Sequence, residues 1–137
     1  MGRSLVFPLL VFALAGCSDP TGSSAVAVIP TKSLYTSGEI PSAQIVNRLE
    51  HNISFNGNAL RVEKLQGTAW VLIGPEYLPN LLPLGLVIQA RGAQTMRAVP
   101  EMALESGTYR LRFEFGSGEE RALRYSYSPE FRVEASA

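Results

Sequence analysis

Apolar and polar residues alternate with a period of two over much of the chain, most clearly in Tyr109-Arg110-Leu111-Arg112-Phe113-Glu114-Phe115. Odd positions there are aromatic or aliphatic and even positions are charged. Successive side chains of an extended strand point to opposite faces, so this pattern predicts a strand with one buried face. Leu123, Tyr125, Tyr127, Phe131 and Val133 continue the scheme against Arg124, Ser126, Ser128, Arg132 and Glu134, with Pro129 between. Proline cannot donate to a strand ladder, so an edge or a bulge is expected at that point. Weaker runs predict strands over 25–29, 33–36, 43–49, 59–65, 69–73, 85–91 and 94–99. Ser37-Gly38, Asn56-Gly57-Asn58, Gln66-Gly67 and Gly116-Ser117-Gly118 mark turns between them. Only 99–105 competes as a helix, with room for a single turn. Short strands with turns this frequent predict an all-β protein, an antiparallel sandwich of about 7–9 strands occupying 25–137.

The first residues follow another pattern. Arg3 is the only charge before Asp19, and Leu5–Ala15 is a run of Leu, Val, Phe and Ala broken by Pro8. A helix of that length reaches only about 16 Å, and a bilayer core needs roughly 20 apolar residues, so the run is too short to span. A positive residue, a short apolar stretch and small residues ahead of a cut site describe a secretory signal. The stretch Leu14-Ala15-Gly16-Cys17 resembles the lipobox of bacterial lipoproteins. The resemblance implies that 1–16 are a signal peptide and that Cys17 carries a diacylglyceryl group on its sulfur and an acyl group on its nitrogen. Cys17 is the only cysteine, so the remaining chain has no disulfide to stabilise it. Ser18–Ser24 has linker composition and reaches at most about 25 Å when extended, which keeps the domain close to the membrane surface. An Asp directly after the cysteine favours the inner membrane in such lipoproteins. Ser18 stands there, which implies the outer membrane, facing the periplasm.

Several motifs in order also resemble a bacterial immunoglobulin-like domain. These are Tyr35-Thr36-Ser37-Gly38-Glu39 with Asn47 eight residues on, Trp70-Val71-Leu72-Ile73, Ser106-Gly107-Thr108-Tyr109-Arg110-Leu111, and Ser128-Pro129-Glu130-Phe131-Arg132-Val133. The resemblance implies an immunoglobulin-like sandwich with a binding or accessory role, and brings no catalytic residues. Relatives often have a cysteine after the tryptophan strand, and 74–84 has none. Gly107 and Tyr109 suggest a tyrosine corner, in which the hydroxyl reaches back to the turn before its strand. The size of Trp70 favours a place in the core.

Formal net charge is zero and no basic stripe exists, so nucleic acid is not an expected partner. His51 is the only histidine, and no spacing around it supplies the three or four ligands a metal needs. An exposed turn histidine is expected. Met96 and Met102, without a partner histidine, are expected in core or loop. Glu119 and Glu120 fall in a glycine-rich hairpin facing solvent. No G-x-S-x-G elbow occurs, so no enzyme, metal or cofactor is expected apart from the lipid on Cys17. The unusual stretch is 74–84, with three prolines, four leucines and Tyr77. It either covers the sandwich or meets a partner, which makes Tyr77, Leu78, Leu81 and Leu82 candidate contacts. The chain thus reads as a non-catalytic, membrane-anchored binding or assembly module with an unidentified envelope protein as partner. The rival expectation is an inhibitor of an envelope hydrolase or protease that presents the rigid loop 74–84.

Overall fold

A computed structural model describes residues 25–76, 78, 85–117 and 122–136. The signal peptide, Cys17, the linker, Tyr77, Leu81, Leu82, Glu119 and Glu120 lie outside the described residues. Within them the chain forms strands β1 (Val26–Pro30), β2 (Leu34–Thr36), β3 (Ser42–Asn47), β4 (Ile53–Phe55), β5 (Leu60–Gln66), β6 (Ala69–Leu72), β7 (Leu86–Ile88), β8 (Ala93–Arg97), β9 (Gly107–Ser117), β10 (Leu123–Tyr127) and β11 (Phe131–Glu134). There is no α-helix among the described residues, and none long and apolar enough to cross a membrane. Residues 99–105 are irregular, and the single helical turn does not form there.

The all-β sandwich expected from the alternation is what the chain adopts. A small sheet has the order β1-β3-β8. The large sheet is built around β9. On one side of β9 run β4 and β5, flanked in turn by β7 and β6; on the other run β10 and β11, with β2 outside β11. Each of these two neighbours of β9 is a single line with an interruption, so the eleven segments trace nine strands, within the expected range. All pairings are antiparallel except β2 with β11.

Both interruptions change which face a side chain reaches. Tyr127 pairs with Arg112 and Phe131 with Tyr109, so four steps on one strand match three on β9. This is a β-bulge, and one extra residue flips every side chain beyond it. Phe131 and Val133 therefore face the core, as expected, but Ser126 and Ser128 do too, while Tyr125 and Tyr127 turn outward. The sequence pattern had all five large residues on one face. Ser128 makes the bulge tenable: its Oγ accepts from the Leu111 N–H at 2.8 Å, and its own N–H donates to the Leu111 carbonyl at 2.8 Å. Between Ser54, paired with Gly116, and Leu60, paired with Phe113, six steps match three. The Asn56-Gly57-Asn58 turn is thus a loop within one line rather than the tip of a hairpin. Ile53–Phe55, with only one polar residue between two apolar ones, was too short to be expected as a strand.

The sheets close on a core of Tyr109, Leu111, Phe113 and Phe115 from β9, Leu60 and Val62 from β5, and Val26, Val28, Ala43 and Ile45 from the small sheet. Tyr35 and Tyr109 both pack against Phe131, at centroid distances of 5.2 and 6.1 Å. Phe55 meets Phe113 edge-on at 5.4 Å. Asn47 is fully buried at the end of β3. Its Nδ2 donates toward the carbonyls of His51, Ile88 and Gln89, and its Oδ1 accepts from the Leu49 N–H. One amide thereby fastens the β3–β4 connection to the end of β7.

Candidate functional site

The outer face of the large sheet carries a dense group of charged and aromatic side chains. Its residues follow from strand parity. With Leu111 and Phe113 inward, β9 must turn Arg110, Arg112 and Glu114 outward. Register places Arg61 opposite Arg112 and Glu63 opposite Arg110 on β5, then Leu72 opposite Glu63 on β6, with Trp70 two residues before it on the same face. On the other side of β9 the bulge brings Tyr125 opposite Glu114 and Tyr127 opposite Arg112.

These side chains interlock. The Arg110 guanidinium lies 4.5 Å from the Trp70 ring centroid and 4.0 Å from that of Tyr127. Arg112 lies 4.9 Å from the Tyr125 ring. Such cation–π contacts contribute about 0.5–1 kcal/mol at exposed sites and more when desolvated. Glu63 holds both arginines, with 2.7 Å to Arg110 Nε and 3.9 Å to Arg112 Nη1. Arg61 is 4 % exposed, and its Nη2 donates to the carbonyls of Ile73 and Pro75. Burial lowers the pKa of Arg61 and the neighbouring Arg112 charge lowers it further, while Glu114 opposes the shift. An arginine stays protonated through such a shift. Burial raises the Tyr125 pKa, and the Glu114 carboxylate beside it acts in the same direction.

Trp70 therefore sits on the outer face, half-buried beneath Arg110, and not between the sheets. The size argument failed because an arginine stem and guanidinium cover an aromatic ring as well as a core does. Two depressions run across this face, with volumes of 300 and 560 Å³. They share Glu76, Arg112 and Glu114 and so form one groove. Trp70 and Tyr125 stand at one end, and Asn56, Asn58 and Leu78 at the other.

Of the candidate contacts in the proline-leucine loop, only Leu78 is described. It is half-buried at the groove's edge, and its carbonyl accepts from Asn58 Nδ2 at 3.2 Å. The start of this loop is fixed by Pro75 on Arg61 and by Gly74 at φ +88°, where a Cβ would come within 2.9 Å of the Pro100 ring. His51 is exposed, and its Nε2 shares a hydrogen bond of 2.5 Å with the buried Ser117 Oγ. Sequence spacing gave no hint of this pair, since β4 and β9 bring together residues far apart in the chain. A base beside a hydroxyl is one element of nucleophilic catalysis, but among the described residues no carboxylate orients the second ring nitrogen of His51. Met96 is half-buried against the core and Met102 is 41 % exposed. Among the described residues, no group of three or more His, Cys, Asp or Glu converges as a metal site would require.

The Tyr109 hydroxyl donates to the Glu105 carbonyl at 2.7 Å, the arrangement expected of a tyrosine corner, and burial raises its pKa. The outer-face group was missed in the sequence for a reason of register. Alternating charges on β9 were visible, but which residues of β5, β6 and β10 lie beside them was not. No protein-family model and no curated protein matches the chain.

Proposed function

We propose that this chain is a non-catalytic lipoprotein whose β-sandwich serves as a binding or assembly module in the bacterial envelope. The observation that carries the reading is Leu14-Ala15-Gly16-Cys17 directly after a short apolar run with one positive residue ahead of it. Cleavage before Cys17 and acylation of its sulfur and nitrogen anchor the domain. Each buried methylene contributes about 0.8 kcal/mol, so two or more acyl chains hold a protein on a membrane stably. Ser18 directs it to the outer membrane on the periplasmic side. The immunoglobulin-like kinship suggested by the sequence motifs is supported by the hydroxyl of Tyr109 on Glu105 and by the buried Asn47 at the end of its strand.

The binding role draws support from the outer face of the large sheet. Trp, Tyr and Arg are the residue types that dominate binding energy at interfaces, and here they are held in fixed mutual contact. The partner is a component of the envelope within reach of the short tether. Radiolabelled palmitate tests the anchor: label enters the wild type and not Cys17→Ser, which stays at precursor size. A Cys17→Ser protein that is cut normally, with no label in either version, overturns the reading.

A further inference from the structure

We infer that the groove across the outer face of the large sheet is a binding site for a neutral oligosaccharide. This deepens the reading above by naming a ligand class, and rests on it only for where the ligand is met. The two connected depressions, of 300 and 560 Å³, fall in the range of small-ligand sites, about 300–1,000 Å³. Neither is enclosed, which suits a chain of sugars lying across the strands.

The lining matches what sugar hydroxyls need. Each hydroxyl both donates and accepts. Arg112 supplies donors, Glu76 and Glu114 supply acceptors, and the amide of Asn56 supplies both. The C–H face of a sugar ring packs on an aromatic ring, whose face is electron-rich. Trp70 and Tyr125 line the groove from β6 and β10, each with an arginine against one ring face, which leaves the other face of the ring for a sugar. Charge argues for neutrality. The carboxylates repel a polyanion, the guanidiniums repel a polycation, and an apolar peptide would leave both kinds of charge buried without partners.

A second observation points to the same place. Among the described residues, the buried side-chain donors lacking any acceptor are Nε of Arg61 and Nε of Arg112. Both arginines line the groove and stand directly opposite each other in register, with these two nitrogens themselves shielded beneath its floor. Like charges directly opposite on a sheet are destabilising, and an unmatched buried donor adds to the cost. An arrangement that costs stability in this way calls for an explanation, and a ligand lying over the paired guanidiniums supplies one. The guanidiniums are also held in place, Arg61 by two carbonyls and Arg112 by Tyr125 and Glu63, which lowers the entropy cost of binding.

The test uses the full chain purified from membranes in a detergent without a sugar headgroup. Trp70 is the only tryptophan in the sequence and it lines the groove, so its fluorescence reports occupancy. Chitotetraose presents N-acetylated sugars of the kind in a wall strand; cellotetraose and maltotetraose present plain hexoses of exported glucans. The expected result is a saturable change with at least one of them, with Kd below about 1 mM. Tyr125→Ala and Glu114→Gln should each weaken it about tenfold or more, the equivalent of one good contact, while both variants still unfold in one cooperative transition above the temperature of the binding assay. No saturable change with any of the three, or undiminished affinity in both variants, overturns the inference. Absence of sugar binding by a chain that is lipidated on Cys17 removes this inference and leaves the anchored reading. Sugar binding by a chain that carries no lipid does the reverse.

Discussion

Replacing Asn47 tests how the two sheets are fastened at one end. The residue is fully buried and serves four main-chain groups: the carbonyls of His51, Ile88 and Gln89 and the N–H of Leu49. Asn47→Ala leaves all four to find other partners. Only the bond to Ile88 is wholly shielded from solvent, and the others lie near enough to the surface for water to replace the amide in part. One shielded carbonyl costs about 1–3 kcal/mol when unmatched, so with partial losses at the rest the expected destabilisation is about 2–4 kcal/mol. Asn47→Asp is sharper because it preserves shape. Above the carboxyl pKa it sets a negative oxygen against three carbonyl oxygens, which disfavours the charged form in the fold. The folded-state pKa is then raised above the unfolded value of about 3.9. The variant therefore binds more protons folded than unfolded, and its deficit relative to wild type grows as pH rises through that window. Urea denaturation followed by circular dichroism at pH 4 and pH 7 measures it. A variant as stable as wild type at pH 7, or one whose deficit is larger at pH 4, refutes the reasoning.

Phe113→Ala should cost about 3–5 kcal/mol in the same denaturation assay, as large-to-small core changes do. Arg112→Ala, which loses a ring contact and a long ion pair on the outer face, should cost about 1 kcal/mol; equal effects would mean that the strand faces are misassigned. Ser128→Ala removes the acceptor of the Leu111 N–H at the bulge and should cost about 1–3 kcal/mol, read as a lowered midpoint with unchanged slope. Acrylamide should quench Trp70 fluorescence measurably in wild type and more strongly in Arg110→Ala, because Arg110 covers the indole; a tryptophan inaccessible in both proteins would place it in the core after all.

Much of the fold was legible because its central strand is amphipathic along its whole length. The alternation from Tyr109 to Phe115 defines a buried and an outer face without any knowledge of neighbours, and the structure keeps both. The Tyr109 hydroxyl and the bulge near Pro129 were likewise readable from local chemistry. What was not readable depends on register. One residue of bulge turns Tyr125 and Tyr127 away from the core that their hydrophobicity suggested, and puts two serines in their place. Ser126 and Ser128 look like surface residues in sequence, yet Ser128 completes a ladder bond that the bulge would otherwise break. Trp70 was misplaced for a related reason. Its cover is Arg110, which is distant in the chain and adjacent only once β5, β6 and β9 are aligned. The opposition of Arg61 and Arg112, and hence the groove, is a product of the same alignment and has no local signature.

On the proposed reading, Cys17 ties this domain to a membrane. Mass spectrometry of the protein extracted from membranes reads that bond outright. The mature chain is expected to begin at Cys17, with a diacylglyceryl group on the sulfur and an acyl group on the amino nitrogen. A chain recovered with residues 1–16 still attached, or one cut elsewhere with an unmodified thiol at Cys17, contradicts it.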